Sequence, residues 1–150
     1  MTAGHLLLTL MIGFTITVGF AVLFNVPRHL LISCGALGAA GHLLRFMLKE
    51  TGAAPEVSAF SGALLVGLLG YWQARRINMP RLVFTITGII AMVPGVPAYE
   101  MLMFFRNNNV IEGLQSGFRV AMITGGIAAG LSAARALTEI EWRGSGEEEI

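Results

Sequence analysis

The sequence predicts an all-α membrane protein with five transmembrane helices, the fourth of them broken at Pro94-Gly95-Val96-Pro97. The composition predicts the class, because the 150 residues are 55% hydrophobic and 13% charged, whereas a soluble domain carries roughly 25% charged residues. The pattern predicts the number of helices, since five apolar segments are separated by short polar ones. The two prolines predict the break, because proline lacks a backbone N–H and clashes with the carbonyl four residues back.

The five apolar segments all have the length of a transmembrane helix. They cover residues 6–26, 30–48, 57–73, 82–105 and 114–137. The first spans ~31 Å at 1.5 Å per residue, which is too long for a signal-peptide core, so we expect a retained helix. The third closes with Tyr71 and Trp72, an aromatic pair typical of a membrane interface. We expect one transmembrane domain over residues 1–138 and a polar, acidic, disordered tail over residues 139–150.

The proline break in the fourth segment points to a ligand site. In hydrocarbon, a broken backbone persists only where protein or a water-filled cavity satisfies the freed polar groups. The start of the second half-helix would then expose the amides of Ala98, Tyr99 and Glu100, which predicts an anion site. A carboxylate could bind there only if Glu100 is protonated or points away, since a negative Glu100 would repel it. Whether the fourth segment spans the membrane or re-enters it is left open by the pattern.

The distribution of basic residues predicts the orientation. With five spans, the first and third loops share a side with the C-terminus, and that side holds six of the ten basic residues. These six are Arg28, Arg75, Arg76, Arg81, Arg135 and Arg143. The positive-inside rule makes that side cytoplasmic. We therefore expect the N-terminus outside and the C-terminus inside.

Small residues recur at helix-packing spacing on three of the predicted helices. The sets are Gly35 and Ala39; Gly62, Gly67 and Gly70; and Gly126, Gly130 and Ala134. Because lipid gives no hydrophobic force between helices, such ridges act by allowing close backbone approach. Packing inside one subunit is the favoured interpretation, and a surface for a second subunit, including a homo-oligomer, is the alternative.

His42 and Arg45 are three residues apart, so they share a face of the second helix. Ionisable residues inside a membrane are costly and face a cavity or a partner. His42 is a candidate proton relay, or else a histidine bonded to a neighbouring backbone. Arg45 is a candidate clamp for a carboxylate, or else a side chain that reaches to the membrane surface.

Three more polar residues are candidates for transport or substrate binding, together with Pro94, Gly95 and Pro97. Glu100 is either a proton-coupling carboxylate or an acid placed where the helix dipole favours it, or paired with Arg106. Tyr99 offers a hydroxyl to a substrate or packs at a helix crossing. Asn25, at the end of the first helix, is a weaker candidate because it is also in position to cap the helix. We expect Arg119 to reach outward to the membrane surface.

Several other function classes find no support in the sequence. The net charge of +1 does not suggest a nucleic-acid partner, and a single cysteine, Cys34, excludes an intramolecular disulfide. The chain has no zinc-ligand spacing, phosphate-binding glycine loop or nucleophile elbow. We therefore expect no enzyme activity, cofactor or metal.

Three separated motifs, in order, resemble the threonine/serine exporter family and in particular its short stand-alone subunit type, called YjjB-like. They are GFAVLFNVP at residues 19–27, GALGAAGHLLR at 35–45, and PRLVFT at 80–85 running into MVPGVPAY at 92–99. His42, Arg45, Pro94, Gly95, Ala98 and Tyr99 fall on motif positions. Glu100 does not belong to the motif.

The resemblance implies a five-helix half of a ten-helix secondary transporter in the bacterial inner membrane. The partner would be a second membrane protein similar to the family's N-terminal domain. The implied activity is export of small hydrophilic metabolites, either threonine and serine or dicarboxylates such as succinate, with the proton gradient as the drive. The alternative is a scaffold subunit that stabilises a partner holding the whole pathway.

Overall fold

The computed structural model describes the backbone of residues 3–145 and the side chains of residues 4–139. This part of the chain consists of six α-helices and short connections without strands, which confirms the all-α prediction. The helices are α1 (Ala3–Leu23), α2 (Leu31–Glu50), α3 (Pro55–Ile77), α4 (Arg81–Ile90), α5 (Gly95–Arg106) and α6 (Val110–Ser145). Four of the described helices are long and apolar enough to cross a membrane alone, and the α4–α5 pair is a fifth candidate.

Three asparagines end three of the helices. Asn25, Asn78 and Asn108 have positive φ angles of 58°, 53° and 60° and follow α1, α3 and α5. Asparagine adopts this left-handed conformation more readily than most residues, and the conformation directs the next amides back to the last carbonyls of the helix. After Asn78, for example, the amide of Met79 donates to the carbonyl of Ala74.

The fourth predicted segment is broken, but the break lies a few residues earlier in the chain than the sequence indicated. α4 ends at Ile90, α5 begins at Gly95, and the two helices are bent by 53°. Pro94 has φ −77° and ψ 65°, and the amide of Gly95 donates to the carbonyl of Val93 at 2.8 Å. This is an inverse γ-turn.

Pro97 lies in the first turn of α5 and does not break it, which corrects the predicted break over Pro94-Gly95-Val96-Pro97. The amides of the first helical turn have no intrahelical partner, so a missing N–H costs nothing there. The break therefore covers residues 91–94.

The contacts between α3 and α6 show that the two helices run in the same direction. Gly126 packs against the backbone of Glu56, Gly130 against that of Phe60, and Ala134 against Gly67. Positions increase together along both helices. Because α3 and α6 are parallel, the chain must return from the end of α3 to the opposite end of the bundle before α6 begins. α4 and α5 together make this return. This geometry is that of a broken span, not of a re-entrant loop.

The glycine and alanine ridges pack within the subunit. Gly35 and Gly38 have no side chain and so leave room for Phe14, Val18 and Thr17 of α1. In the same way, Gly126 and Gly130 leave room for the α3 backbone. A Cβ at any of these glycines would overlap the neighbouring helix. The favoured interpretation of the ridges agrees with these contacts.

The break is anchored in the core by Met92. This residue is fully buried, and its side chain fills the space left by Gly41 and Gly62. Around it lie Ala63, Val66 and Ile123 of α3 and α6. The chain therefore turns sharply at a fixed point among packed helices.

α5 leaves this core, and none of its residues is buried. It packs on the first part of α6, where Phe105 lies against Gly113 and Met101 against Gly117. α6 continues to Ser145, into the predicted tail, and residues 146–150 lie outside the described part of the chain.

Candidate functional site

A cleft of about 610 Å³ opens beside the break between α4 and α5. The last part of α2, the start of α3, the break and the middle of α6 surround it. Its polar and charged lining residues are His42, Arg45, Lys49, Ser58, Glu100 and Arg119. Pro94 of the break, with Gly95 and Pro97 of the first turn of α5, completes the wall on that side.

Arg45 ties α2 to the break. Its Nη1 atom donates a hydrogen bond to the carbonyl of Met92, one of the backbone groups that the break leaves outside the helix. The guanidinium has five N–H donors, so donors remain for a ligand in the cleft. Arg45 is half-buried and lies five residues before the end of α2. Arg45 thus satisfies a backbone carbonyl at the break and also presents positive charge to the cleft.

His42 lies one turn before Arg45, where α2 meets α1. Its Cβ and Cδ2 atoms pack against Gly13, whose missing side chain leaves room for the imidazole. The Nδ1 atom is buried and makes no hydrogen bond of ordinary length and angle within residues 4–139, and the backbone of Ala91 at the break lies near the imidazole. Buried polar atoms of this kind are rare in proteins, so His42 is a candidate for a polar contact in the cleft.

The cleft carries a surplus of positive charge. Arg45, Lys49 and Arg119 line it together with one carboxylate, Glu100. Among the described side chains, both ion pairs lie elsewhere and involve Glu139, so none of these four groups is paired with another. Unpaired charges inside a membrane protein mark substrate or ion pathways. The cleft is thus suited to a small solute that bears at least one carboxylate.

The structure brings together six of the eight residues that the sequence singled out. They are His42, Arg45, Pro94, Gly95, Pro97 and Glu100. Tyr99 does not line the cleft and is 62% exposed on the outer side of α5. Asn25 lies at the opposite end of the bundle, where its left-handed conformation ends α1.

The predicted anion site at the start of α5 is wrong. The amide of Ala98 donates to the carbonyl of Pro94 at 3.2 Å, and Tyr99 and Glu100 lie further inside the helix, where amides bond to carbonyls four residues back. Pro97 has no amide hydrogen. Because the helix begins at Gly95, Glu100 lies in its second turn, where the dipole effect is already weak. Nor does Glu100 pair with Arg106 among the described ion pairs.

Sequence reasoning missed Lys49, Ser58 and Arg119. Arg119 was expected to reach outward; it is exposed, and it also lines the cleft. A signal for its position was present: Ile123, Ile127 and Leu131 follow it at four-residue spacing and form the face of α6 that packs on α3. Arg119 is one turn before this stripe and so lies on the same side of the helix.

Comparison with known families gives a direct match. The sequence profile of the family described as threonine/serine exporter, ThrE, matches residues 9–137. The chain belongs to the threonine/serine exporter family. Its role is accordingly membrane transport of the exporter type, and the family is one of transporters, not of enzymes. No solved structure matches the chain.

The matched region of this exporter-family chain contains the whole cleft. It begins in α1, ahead of Gly13, and ends in α6 at residue 137, beyond Arg119. The exporter family and the apolar helices together make the chain a multi-pass membrane protein.

Proposed function

We propose that the chain is the membrane half of a secondary exporter for small hydrophilic metabolites and that the cleft at the α4–α5 break binds the transported molecule. The observation that carries the proposal is a set of three cations beside the backbone break, the half-buried Arg45 and the exposed Lys49 and Arg119, none of which forms an ion pair among the described residues. Transporters commonly place substrate sites at interrupted helices near mid-membrane depth.

The charges of the cleft fit two substrate classes. Threonine or serine would place its carboxylate against Arg45 and its ammonium against Glu100. A dicarboxylate such as succinate would use the remaining cations, Lys49 and Arg119, for its second carboxylate. A guanidinium recognises a carboxylate with two parallel hydrogen bonds, which fixes the orientation of either substrate.

His42 is the residue that we propose for proton coupling. An imidazole gains and loses a proton near neutral pH, and this one lies one helical turn from Arg45 with its Nδ1 atom buried and without a hydrogen bond of ordinary length and angle among the described residues. Protonation would add a charge to a cleft that already repels cations. Proton binding would therefore be linked to binding of the anionic substrate.

The proposal includes a second membrane subunit. Among the described residues, α5 has none that is buried and packs chiefly on the first part of α6, so its remaining surface is open to a further helix. A partner similar to the family's N-terminal domain would cover that surface and supply the other half of the pathway. The bacterial inner membrane, with the N-terminus outside, is the proposed location.

The test is export of labelled threonine, serine and succinate by vesicles that contain both subunits. Replacing His42 by Ala should abolish export while the complex still assembles. The matched control is His29→Ala, which removes an exposed imidazole at the other end of the bundle. Normal export by His42→Ala would remove His42 from the mechanism.

The scaffold alternative is decided by the same assay. If the partner subunit alone moves substrate at the full rate, this chain only stabilises its partner. If export needs both chains and is lost in the His42→Ala complex, the scaffold role is excluded.

A further inference from the structure

We propose that the opposite end of the bundle holds a specific site for an anionic phospholipid, with its headgroup at Arg75 and Arg81 and one acyl chain in the groove between α4 and α6. The site is separate from the transport cleft, since Arg81 begins α4 and the cleft lies beyond its other end. Two adjoining clefts carry the inference.

The first cleft has the chemistry of a headgroup site. It measures about 530 Å³, and its polar lining residues are Tyr71, Arg75, Asn78, Arg81, Thr138 and Glu139. The guanidinium carbons of Arg75 and Arg81 both lie 6.0 Å from the centre of the Tyr71 ring. Both guanidiniums thus border the same ring and line the same cleft, where a phosphate would find positive charge.

The carboxylate in this cleft does not neutralise it. Glu139 accepts hydrogen bonds from Arg135 at 2.7 Å and from Arg81 at 3.5 Å. One carboxylate is thus shared by two guanidiniums, and Arg75 contacts only the Tyr71 hydroxyl among the described hydrogen bonds. Each guanidinium keeps N–H donors for a further acceptor. The site has a net positive charge and favours an anion.

The second cleft has the chemistry of an acyl-chain groove. It measures about 480 Å³ and shares Pro80, Arg81 and Thr138 with the first. From there it runs between α4 and α6. Its further lining consists of the apolar residues Gly67, Leu82, Leu131 and Ala134 together with Thr85 and Arg135. A soluble phosphate would use the first cleft alone, whereas a phospholipid would fill both.

The end of α3 also has the features of a membrane surface. Trp72 is 56% exposed, and the guanidinium of Arg76 stacks on its ring at 3.8 Å. Exposed tryptophan beside arginine is typical of headgroup depth, and basic pockets between helices at this depth bind anionic headgroups. The two clefts therefore meet where a lipid headgroup and its chain would meet.

The test measures lipid binding to the purified full chain in detergent by native mass spectrometry. Phosphatidylglycerol is the probe and phosphatidylcholine is the neutral comparison. Arg75→Gln and Arg81→Gln should each weaken phosphatidylglycerol binding by about fivefold, since a basic residue near a charged headgroup contributes about 1 kcal/mol. The matched control is Arg28→Gln, which removes a positive charge from the same end but lies in neither cleft.

The expected result is preference for phosphatidylglycerol, loss in the two cleft variants and no loss in Arg28→Gln. If Arg81→Gln fails to fold, Arg75→Gln decides the question, because it keeps the ion pair of Arg81 with Glu139. An equal loss in Arg28→Gln would overturn the site in favour of diffuse surface charge. Displacement of the lipid by glycerol phosphate at matched concentration would overturn the acyl-chain part and leave only an anion site.

Discussion

Arg45 combines two tasks in one side chain, because it satisfies the carbonyl of Met92 and also faces the cleft. In a bilayer, a backbone group freed by a helix break has no water to bond with unless a cavity supplies it. The two tasks need different properties of the residue. Any N–H donor of suitable length serves the carbonyl, whereas only a cation serves an anionic substrate.

Two substitutions at Arg45 separate these tasks. Arg45→Gln keeps a donor but removes the charge, so we expect at least a tenfold loss of export with little loss of stability. Arg45→Ala also leaves the Met92 carbonyl unpaired, which should lower the free energy of unfolding by about 1–3 kcal/mol. Export and thermal unfolding in detergent measure the two effects. Arg106→Gln, outside the cleft, is the control, and an Arg45→Ala protein as stable as the unsubstituted chain would contradict the account.

The residues of the site were only partly predictable from the sequence. His42, Arg45 and Glu100 stood out because charge is rare in apolar segments. Asn25 was a candidate because it is polar, but polarity alone does not separate a helix cap from a ligand. Arg119 was missed because its role depends on the face of α6 that meets α3, and the sequence does not state which helices are neighbours.

At the scale of the helices, α3 and α6 pack so closely at two glycines of α6 that a larger side chain there would not fit. A Cβ at Gly126 would meet the carbonyl of Glu56 at 2.5 Å, whereas a Cβ at the preceding residue, Gly125, would meet nothing within 4 Å. The two positions have the same residue and nearly the same depth. They differ in whether the neighbouring helix is in contact.

This pair gives a matched prediction. Gly126→Val should destabilise the bundle by about 1–3 kcal/mol, because the α3 backbone cannot yield without moving the whole helix. Gly125→Val should fold and unfold like the parent. Thermal unfolding of the purified proteins measures the difference, and equal stability of the two variants would show that α3 and α6 do not pack in this way.

The helices themselves were largely predictable, and the break was predictable in kind but not in position. Apolar length located five segments, and Pro94 indicated the interruption. The exact residues differ because Pro97 falls in a first helical turn, where proline is tolerated. The 53° bend follows from the anchoring of Met92 between Gly41 and Gly62. That contact depends on residues distant in the chain, which the local pattern does not contain.

At the scale of the whole molecule, the α4–α5 pair decides the topology. Asn78 precedes α4 and Asn108 follows α5, so a broken span places these two turns on opposite sides of the membrane. In a chain with Cys34→Ala, cysteines at positions 78 and 108 should react with an impermeant thiol reagent from opposite sides. We expect position 78 to be cytoplasmic, with the arginines of that end. Labelling of both positions from one side would indicate a re-entrant loop.

If the cleft beside the break takes the transported molecule, it must be open to water. The most direct measurement is the reaction of Gly95→Cys, in the Cys34→Ala chain with its partner, with an anionic, impermeant methanethiosulfonate. Gly95 lines the cleft and has open space for a side chain, and Met11→Cys, exposed on the side of α1 that faces away from α2 and outside the cleft, is the control. We predict that position 95 reacts, that position 11 does not, and that threonine, serine or succinate slows the reaction at 95. No reaction at position 95, or a rate there that saturating amounts of all three substrates leave unchanged, would contradict the account.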